Sequence, residues 1–270
     1  MEILFHLLRV PGATGMWRRF PFGSVKTRVQ YGIYARPHYA YGVYWASLQA
    51  KQLGIPRFTA IELGVAGGRG LMAPESVSKE IGAHLGIEID VVGFDSGKGM
   101  PAPVDYRDLP HIWNAGFYEM DEKKLRERLT SAKLVLGDVA ETTRQWLRNS
   151  IQSPIGFVAF DLDYYSSTKA SFALFEGSDS THLPRVHCYF DDLGCTDLGC
   201  MSKFVGEYLA IDEFNRDHTD RKIGKIENLR INRPLWEIWQ DRLYAFHDFG
   251  HPRYTERVLP HGDRYSQIPL

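Results

Sequence analysis

The feature that most constrains the fold is an alternation of short apolar runs with longer amphipathic runs from about residue 58 onward. The short runs are rich in β-branched and aromatic residues, as buried strands are, and the longer runs carry Leu, Phe or Val at helical spacing. Strands that alternate with helices form βαβ units and a mainly parallel sheet. The pattern therefore predicts an α/β fold with helices on both faces of the sheet.

The strand pattern fits the segments Thr59–Val65, Val91–Asp95, Lys133–Leu136, Gly156–Asp161, His187–Phe190, Lys225–Leu229 and Arg242–Phe249. The helix pattern fits the segments Leu71–Leu85, Glu122–Thr130, Thr142–Ser150, Thr168–Phe175 and Ser202–Asn215. No helical pattern separates the last two strands, so we expect them to close the seven-stranded sheet as an antiparallel hairpin. The segment 97–118 is long and rich in Pro and Gly, which is typical of a functional loop.

The 270 residues suit one large domain or two small ones, and we place a boundary after residue 57. Residues 1–57 are expected to form an aromatic-rich helical extension that covers the sheet or acts as a lid, because residues 31–45 hold five tyrosines and a tryptophan. The apolar stretch at the N-terminus has no basic region before it and is interrupted by His6 and Arg9. These features favour an amphipathic helix over an export signal.

Charge and composition exclude several classes of partner. With 32 Lys and Arg against 33 Asp and Glu, the chain lacks the excess positive charge that nonspecific nucleic-acid binding requires. The longest apolar run is shorter than the ~20 residues of a membrane-spanning helix. The spacing of Cys188, Cys195 and Cys200 does not match a zinc site and favours reduced thiols. We expect a cytoplasmic protein without nucleic-acid or membrane partners, and the sequence leaves open a homo-oligomer.

A glycine-rich turn follows the first predicted strand, between Gly64 and Gly70. Glycines let the backbone approach a ligand closely, and the N-terminus of the following helix favours an anionic or polar group. The spacing differs from the GxGxxG of dinucleotide-binding proteins, which argues against a nicotinamide oxidoreductase. Glu62 precedes the glycines, and its carboxylate suits a cationic group of a ligand.

Acidic residues also end the second and third predicted strands. Asp95 is placed to accept hydrogen bonds from ribose hydroxyls, with a turn or helix-capping role as the alternative. Asp138 is expected either to meet the adenine or ribose edge of a nucleoside or to cap the helix that begins near Thr142.

Two more predicted strands each end in a pair of carboxylates, Asp161 with Asp163 and Asp191 with Asp192. The carboxyl ends of parallel strands share one edge of the sheet, where ligands bind. Four carboxylates gathered there would repel one another unless a cation lay between them. Oxygen ligands suit Mg²⁺, Ca²⁺ or Mn²⁺ rather than zinc. Helix capping is the alternative, but it accounts for only one or two of the four.

Several motifs, in chain order, resemble those of the macrocin-type O-methyltransferases, which methylate sugar hydroxyls of macrolide and aminocoumarin antibiotics. The motifs are E-x-G with its glycines, FDSGKGMP, GDVAET, FDLDYYSSTKAS and YFDDLG. The similarity covers roughly residues 58–215, and the segment Trp113–Tyr118 resembles the family's loop after the second strand. The resemblance implies the Rossmann-like fold of class I S-adenosylmethionine-dependent methyltransferases, a need for Mg²⁺ and a place in secondary metabolism.

The resemblance also implies roles for single residues. The S-adenosylmethionine site would comprise Glu62, Gly64, Val65, Ala66, Gly67, Asp95, Ser96 and Asp138. Glu62 and the glycines would hold the methionine part of the cofactor, and Asp95 its ribose. Asp161, Asp191 and Asp192 match the metal ligands, and Asp163 matches the general base that deprotonates a small hydroxylated acceptor, such as one bearing a sugar. The chain departs from the family at Ala66, which stands where a bulky or basic pair is usual.

Two other functions stay open at this point. Asp161-Leu162-Asp163 is also a DxD motif, which in a glycosyltransferase would hold Mn²⁺ and a nucleotide sugar. Glu62 before the glycine turn and the second Asp pair argue against that function. The other possibility is a non-catalytic, methyltransferase-like binding protein, against which the presence of all four carboxylates argues.

Overall fold

The computed structural model describes residues 12–149, 153–194, 197–231 and 236–259. Within them, the strands are β1 Arg57–Leu63, β2 Glu88–Asp95, β3 Lys133–Leu136, β4 Ile155–Phe160, β5 His182–Phe190, β6 Arg221–Lys225 and β7 Leu243–Asp248. They form one sheet in the order β3-β2-β1-β4-β5-β7-β6. Strands β1 to β5 are mutually parallel, and β7 runs antiparallel to both β5 and β6. The predicted α/β class and the closing hairpin are confirmed.

Helices cover both faces of this sheet. The α-helices of the described residues are α1 Ala13–Arg19, α2 Val25–Gln30, α3 Pro37–Gln52, α4 Arg69–Leu85, α5 Glu122–Arg128, α6 Val139–Asn149, α7 Tyr165–Ser171 and α8 Gly206–Asp217. Side chains of α3 and α4 share one core with the sheet. Those of α6 and α8 contribute to a second core, on the other face.

Helix α3 of the N-terminal segment packs directly on the centre of the sheet. A Cβ atom at Gly42 would lie 2.2 Å from the Phe157 ring, so no larger residue allows this approach. Tyr39 and Val43 of the same helix are buried in the core that contains Phe58. The hydrophobic effect of this shared core therefore holds the N-terminal segment on the sheet.

The prediction of the sixth strand was wrong in position. It was placed at Lys225–Leu229, whereas the chain is extended over Arg221–Lys225 and then turns, with Asn228 in the left-handed region at φ 63°. Ile226 and Leu229 pack against the core from this turn, so their apolar side chains are buried although they lie outside the strand.

The predicted helix ends also differ from the observed ones by up to four residues. Helix α6 begins before Thr142 because the Asp138 side chain accepts a hydrogen bond from the Ala140 N–H and so caps the helix early. The predicted segment Thr168–Phe175 divides into the end of α7 and a 3₁₀ turn, Phe172–Phe175. Helix α8 starts at Gly206 rather than Ser202, after an extended residue, Val205.

Some predictions concern residues outside the described ranges. These are residues 1–11 of the expected N-terminal amphipathic helix, the helix end at Ser150, and Cys195. Cys188 is a buried free thiol and Cys200 an exposed one. Across the described part of the chain, no helix has both the length and the apolar character needed to cross a membrane.

Candidate active site

The carboxyl ends of the four central strands lie level with one another. Leu63 at the end of β1 is paired with Phe94 of β2 and Phe160 of β4, and Phe160 is paired with Phe190 of β5. The loops that leave these strands therefore meet at one edge. Gly64 begins the first of them at φ 84°, and a Cβ atom there would lie 1.8 Å from the carbonyl oxygen of Asp161. This contact makes glycine necessary where the β1 and β4 loops touch.

Asp161, Asp191 and Asp192 meet at this edge, with one carboxylate oxygen from each within 4.8 Å of the others. The Asp161 carboxylate accepts no hydrogen bond from the described residues, so its oxygens are free for a ligand. Oδ1 of Asp191 accepts hydrogen bonds from the Tyr189 hydroxyl at 2.6 Å and from Nη1 of Arg242 at 3.1 Å. The three carboxylates are thus gathered from two adjacent strand ends, as the sequence predicted.

The electrostatics of this cluster suit a cation. Burial, followed by repulsion from Asp192 and Asp191, raises the pKa of Asp161 above its ordinary value. The pKa of Asp192 is also raised, chiefly by burial. Arg36 and Arg242 lower the pKa of Asp161, but they do not outweigh the burial and the repulsion. A divalent cation would remove this repulsion, and an all-carboxylate donor set fits Mg²⁺.

Asp163 lies beside the cluster in a strained conformation. Its φ is 59°, its side chain is only 9% exposed, and its backbone N–H donates to Oδ2 of Asp192 at 2.9 Å. Burial, with the nearby charge of Asp161, raises the pKa of its carboxyl group. Left-handed non-glycine residues are costly and are concentrated at functional sites. The structure thus holds a partly desolvated carboxyl group against two members of the cluster.

Asp95 shapes the glycine turn from the end of β2. Its Oδ2 accepts hydrogen bonds from the backbone N–H groups of Val65 and Ala66, both at 2.8 Å, and its Oδ1 accepts from that of Gly97 at 2.7 Å. Since each carboxylate oxygen accepts about two hydrogen bonds, Oδ1 retains a free acceptor position. That position is the one in which Asp95 could receive a ribose hydroxyl.

Ser96 and Asp138 make local hydrogen bonds. The Ser96 hydroxyl donates to the Gly99 carbonyl oxygen at 2.7 Å, which folds the start of the 97–118 loop. Oδ1 of Asp138 accepts a hydrogen bond from the Ala140 N–H at the start of α6. This contact is the helix-capping role that the sequence analysis gave as one of two alternatives. In the glycine turn between β1 and α4, a Cβ atom added at Gly67 would have no atom within 4 Å, so the turn is open on that side.

Glu62 lies beneath the glycine turn and is completely buried. Its Oε1 accepts a hydrogen bond from the Tyr39 hydroxyl at 2.7 Å, and its Oε2 has no hydrogen-bond partner in the described structure. A Cβ atom at Gly70 would lie 1.7 Å from Oε1, so α4 starts directly above this carboxyl group. Burial raises the pKa of Glu62, which the Tyr39 hydrogen bond lowers only in part.

Several residues at this edge were not predicted as site residues, although three of them lie in the aromatic segment 31–45. They are Arg36, His38, Tyr39, Tyr189, Glu207 and Arg242. Oε2 of Glu207, at the start of α8, accepts a hydrogen bond from the Asp192 N–H at 3.0 Å, while Oε1 is buried without a partner in the described structure. His38 stacks on Tyr189 with ring centroids 4.0 Å apart. Residues at the start of helix α3 and Arg242, just before strand β7, thus surround the carboxylate cluster.

Comparisons with known proteins were made on the sequence and on the fold. No protein-family model matches the chain, and no curated protein matches it. Among solved structures, CalS11, described as a calicheamicin methyltransferase, is 20% identical over 92% of this chain and 90% of its own, with a TM-score of 0.51. The O-methyltransferase NovP is 15% identical over 91% of this chain and 96% of its own, also with a TM-score of 0.51.

An apo structure of CalS11, described as a TDP-rhamnose 3'-O-methyltransferase of calicheamicin biosynthesis, is 21% identical over 92% of this chain and 90% of its own, with a TM-score of 0.43. At identities this low, the comparisons with CalS11 and NovP establish the fold. The chain therefore has the class I methyltransferase fold, with a seven-stranded sheet that matches the expected topology.

Proposed function

We propose that this protein is a metal-dependent S-adenosylmethionine O-methyltransferase that acts on a hydroxyl of a small, sugar-bearing acceptor. The observation that carries the proposal is the meeting of Asp161, Asp191 and Asp192 beside Asp163, at the ligand-binding edge of a class I methyltransferase fold. The motif resemblance supports the O-methyltransferase class independently of the fold.

The cofactor would lie along the glycine turn between β1 and α4. Gly67 leaves backbone accessible there, Gly64 lets the turn pass close to the β4 loop, and Val65 and Ala66 are held in place by Asp95. Asp95 has one acceptor position left for a ribose hydroxyl. Glu62 would hold the methionine part of the cofactor from below the turn, where it accepts a hydrogen bond from the Tyr39 hydroxyl. S-Adenosylmethionine supplies an electrophilic methyl group on a sulfonium centre.

Asp161, Asp191 and Asp192 would hold the divalent cation, and Mg²⁺ fits their oxygen donors. Such a cation supplies Lewis acidity that lowers the pKa of an alcohol, which is otherwise a poor nucleophile. Arg242 and Tyr189 fix Asp191, and Glu207 fixes the backbone of Asp192, so the ligand set is preorganised.

Asp163 would accept the proton of the acceptor hydroxyl as the methyl group is transferred to that oxygen, and S-adenosylhomocysteine would leave with the electron pair of the broken carbon–sulfur bond. General-base help of this kind contributes ~100- to 10,000-fold in rate. The remaining rate enhancement would come from orientation of the acceptor against the methyl group. Of the extension predicted over residues 1–57, the described helix α3 and the residue before it would bring Arg36, His38 and Tyr39 to this site.

The test compares Asp163→Asn with a matched control, Asp179→Asn, whose side chain is exposed in the turn before β5. Transfer of labelled methyl groups to a panel of hexosides and 6-deoxyhexosides is measured with Mg²⁺, and binding of S-adenosylhomocysteine is measured by calorimetry. We expect Asp163→Asn to lose ~100-fold or more of the rate with unchanged cofactor-product affinity. Full turnover by Asp163→Asn would show that Asp163 is not the general base. Absence of S-adenosylhomocysteine binding by the unmodified protein would contradict the proposed methyltransferase function and favour the DxD glycosyltransferase hypothesis.

A further inference from the structure

The N-terminal segment carries an excess of positive charge that the whole chain does not have. Residues 12–61 hold seven Lys and Arg and no Asp or Glu, although the full sequence is almost balanced, with 32 basic against 33 acidic residues. Arg18 finds an acidic partner elsewhere in the fold, since its Nη2 lies 2.7 Å from Oε1 of Glu237. Arg19 and Lys26 are exposed and form no ion pair among the described residues. The surface around α1 therefore keeps a local positive charge.

The same surface exposes large apolar side chains. Met16 on α1 is 64% exposed, Phe20 directly after the helix is 67% exposed, and Phe22 is 61% exposed. Met16, Arg19 and Phe20 are three and four residues apart, so the helical path turns them to the same side. The guanidinium carbon of Arg19 lies 5.9 Å from the centroid of the Phe20 ring. Cationic and apolar groups are therefore interleaved on one exposed face.

This face is anchored to the rest of the segment from below. The Trp17 ring, which is 4% exposed, stacks on the Phe22 ring with centroids 4.7 Å apart. The Trp17 indole N–H donates to the Phe22 carbonyl oxygen at 3.0 Å, and Nε of Arg18 donates to the Gly32 carbonyl oxygen at 3.0 Å. The turn after α1 is thus held in place, with its apolar side chains in contact with solvent.

We infer that this face binds the surface of a bilayer that contains anionic lipids, through Met16, Arg19, Phe20, Phe22 and Lys26. Aromatic and aliphatic side chains enter the boundary between headgroups and acyl chains, and nearby Lys and Arg are attracted to anionic headgroups. A second copy of the chain fits less well, because a twofold contact would set Arg19 and Lys26 against their own counterparts. The phosphate backbone of a nucleic acid would match the charges but leave the apolar side chains in water.

The inference differs from the expectation that the chain has no membrane partner. That expectation rested on the length of the longest apolar run, which bears on membrane-spanning helices. Binding at the bilayer surface needs an exposed apolar face and positive charge, and no spanning segment. It is also independent of the proposed function, because neither the cofactor nor the acceptor takes part in it.

The test measures co-sedimentation of the full chain with vesicles of phosphatidylglycerol and phosphatidylcholine in equal parts, and with vesicles of phosphatidylcholine alone. We expect binding to the anionic vesicles only, and weaker binding at high ionic strength because salt screens surface charges. The charge variant, Arg19→Gln/Lys26→Gln, should lower the partition coefficient by about tenfold or more, since it removes the two unpaired cations. The apolar variant, Met16→Gln/Phe20→Gln, should lower it by about tenfold, because less apolar area enters the bilayer.

Two control variants remove the same kinds of side chain elsewhere. Lys123→Gln/Lys124→Gln removes two exposed cations from α5, and Leu198→Gln/Phe204→Gln removes two apolar side chains that are 79% and 66% exposed. Both should bind anionic vesicles as the unmodified protein does. Equal losses in the test and control variants, or no binding of the unmodified protein to anionic vesicles, would overturn the inference. Self-association that analytical ultracentrifugation detects and that the apolar variant abolishes would also overturn it, because a second copy would then cover this face.

Discussion

The Tyr39 hydroxyl donates a 2.7 Å hydrogen bond to Oε1 of Glu62, which joins helix α3 to strand β1 beneath the glycine turn. Tyr39 is 1% exposed and Glu62 is fully buried. The N-terminal segment thus supplies the only donor that Glu62 has among the described residues. Stability and cofactor binding are therefore expected to depend jointly on α3 and the turn.

We expect Tyr39→Phe to reduce the free energy of unfolding by about 1–3 kcal/mol, because it leaves a buried carboxyl group without its donor. Urea denaturation measures the loss. The control is Tyr44→Phe, on the same helix and 4% exposed, whose hydroxyl makes no hydrogen bond with the described residues. That change should cost less than about 0.5 kcal/mol. Equal losses in the two variants would mean that the Glu62 contact contributes nothing.

Gly64→Ala should destabilise the protein by more than about 1 kcal/mol, since it combines a left-handed φ with a steric clash on the Asp161 carbonyl oxygen. Gly67→Ala, in the same turn, meets no atom within 4 Å and should be tolerated. Thermal unfolding of both variants makes the comparison. An unaffected Gly64→Ala protein would contradict the close contact of the β1 and β4 loops.

Glu75 clamps the chain between α5 and β3. Its Oε1 accepts hydrogen bonds from the backbone N–H groups of Thr130, Ser131 and Ala132 and from two of their hydroxyls. Burial alone would raise the pKa of Glu75, but these hydrogen bonds outweigh it and lower the pKa to about 2. Because the folded-state pKa is depressed, the stabilisation is complete above the ordinary value of 4.5 and is lost as the pH falls towards 2.

Glu75→Gln should therefore cost about 1.5–3 kcal/mol near pH 7, the contribution of a hydrogen bond to a charged group. The difference from the unmodified protein should narrow between pH 4.5 and pH 2. Urea denaturation across this range checks the trend, with Glu127→Gln on the exposed side of α5 as control. A difference that stays constant with pH would show that the charge of Glu75 is not responsible.

Asp108→Asn should loosen the 97–118 loop, because the amide cannot replace both acceptor oxygens that hold Ser166 and Val104. Hydrogen exchange followed by mass spectrometry should show faster exchange in this loop and in the first turn of α7, with β1 unaffected. Asp121→Asn, which alters the cap of α5, is the control. Fast exchange of the loop in the unmodified protein would already contradict a fixed loop.

The sequence predicts this fold well where local pattern and global topology agree. β4 and β5 are apolar runs that end in carboxylates, and their parallel pairing alone brings Asp161 to Asp191. By contrast, the predicted position of β6 is wrong because Ile226 packs on the core from a turn, and an apolar residue buried in a turn looks like a strand residue in the sequence.

The residues around the carboxylates could not be predicted in the same way. Arg242 reaches Asp191 from the residue before β7, and Tyr39 reaches Glu62 from a helix that precedes the whole sheet. Both contacts depend on how distant elements pack, and no local spacing encodes that. Tyr118 gives a similar case, since its left-handed φ is a property of the folded loop.

The most direct test of the account is calorimetric titration of Mg²⁺ into the full chain saturated with S-adenosylhomocysteine. We predict saturable binding by the unmodified protein and by Asp179→Asn/Asp212→Asn, a control that removes two exposed carboxylates, and no binding by Asp161→Asn/Asp191→Asn. Thermal unfolding should show that the last variant is folded, because it relieves repulsion between carboxylates. Unchanged Mg²⁺ binding by Asp161→Asn/Asp191→Asn, or none by the unmodified protein with S-adenosylhomocysteine bound, would contradict the account.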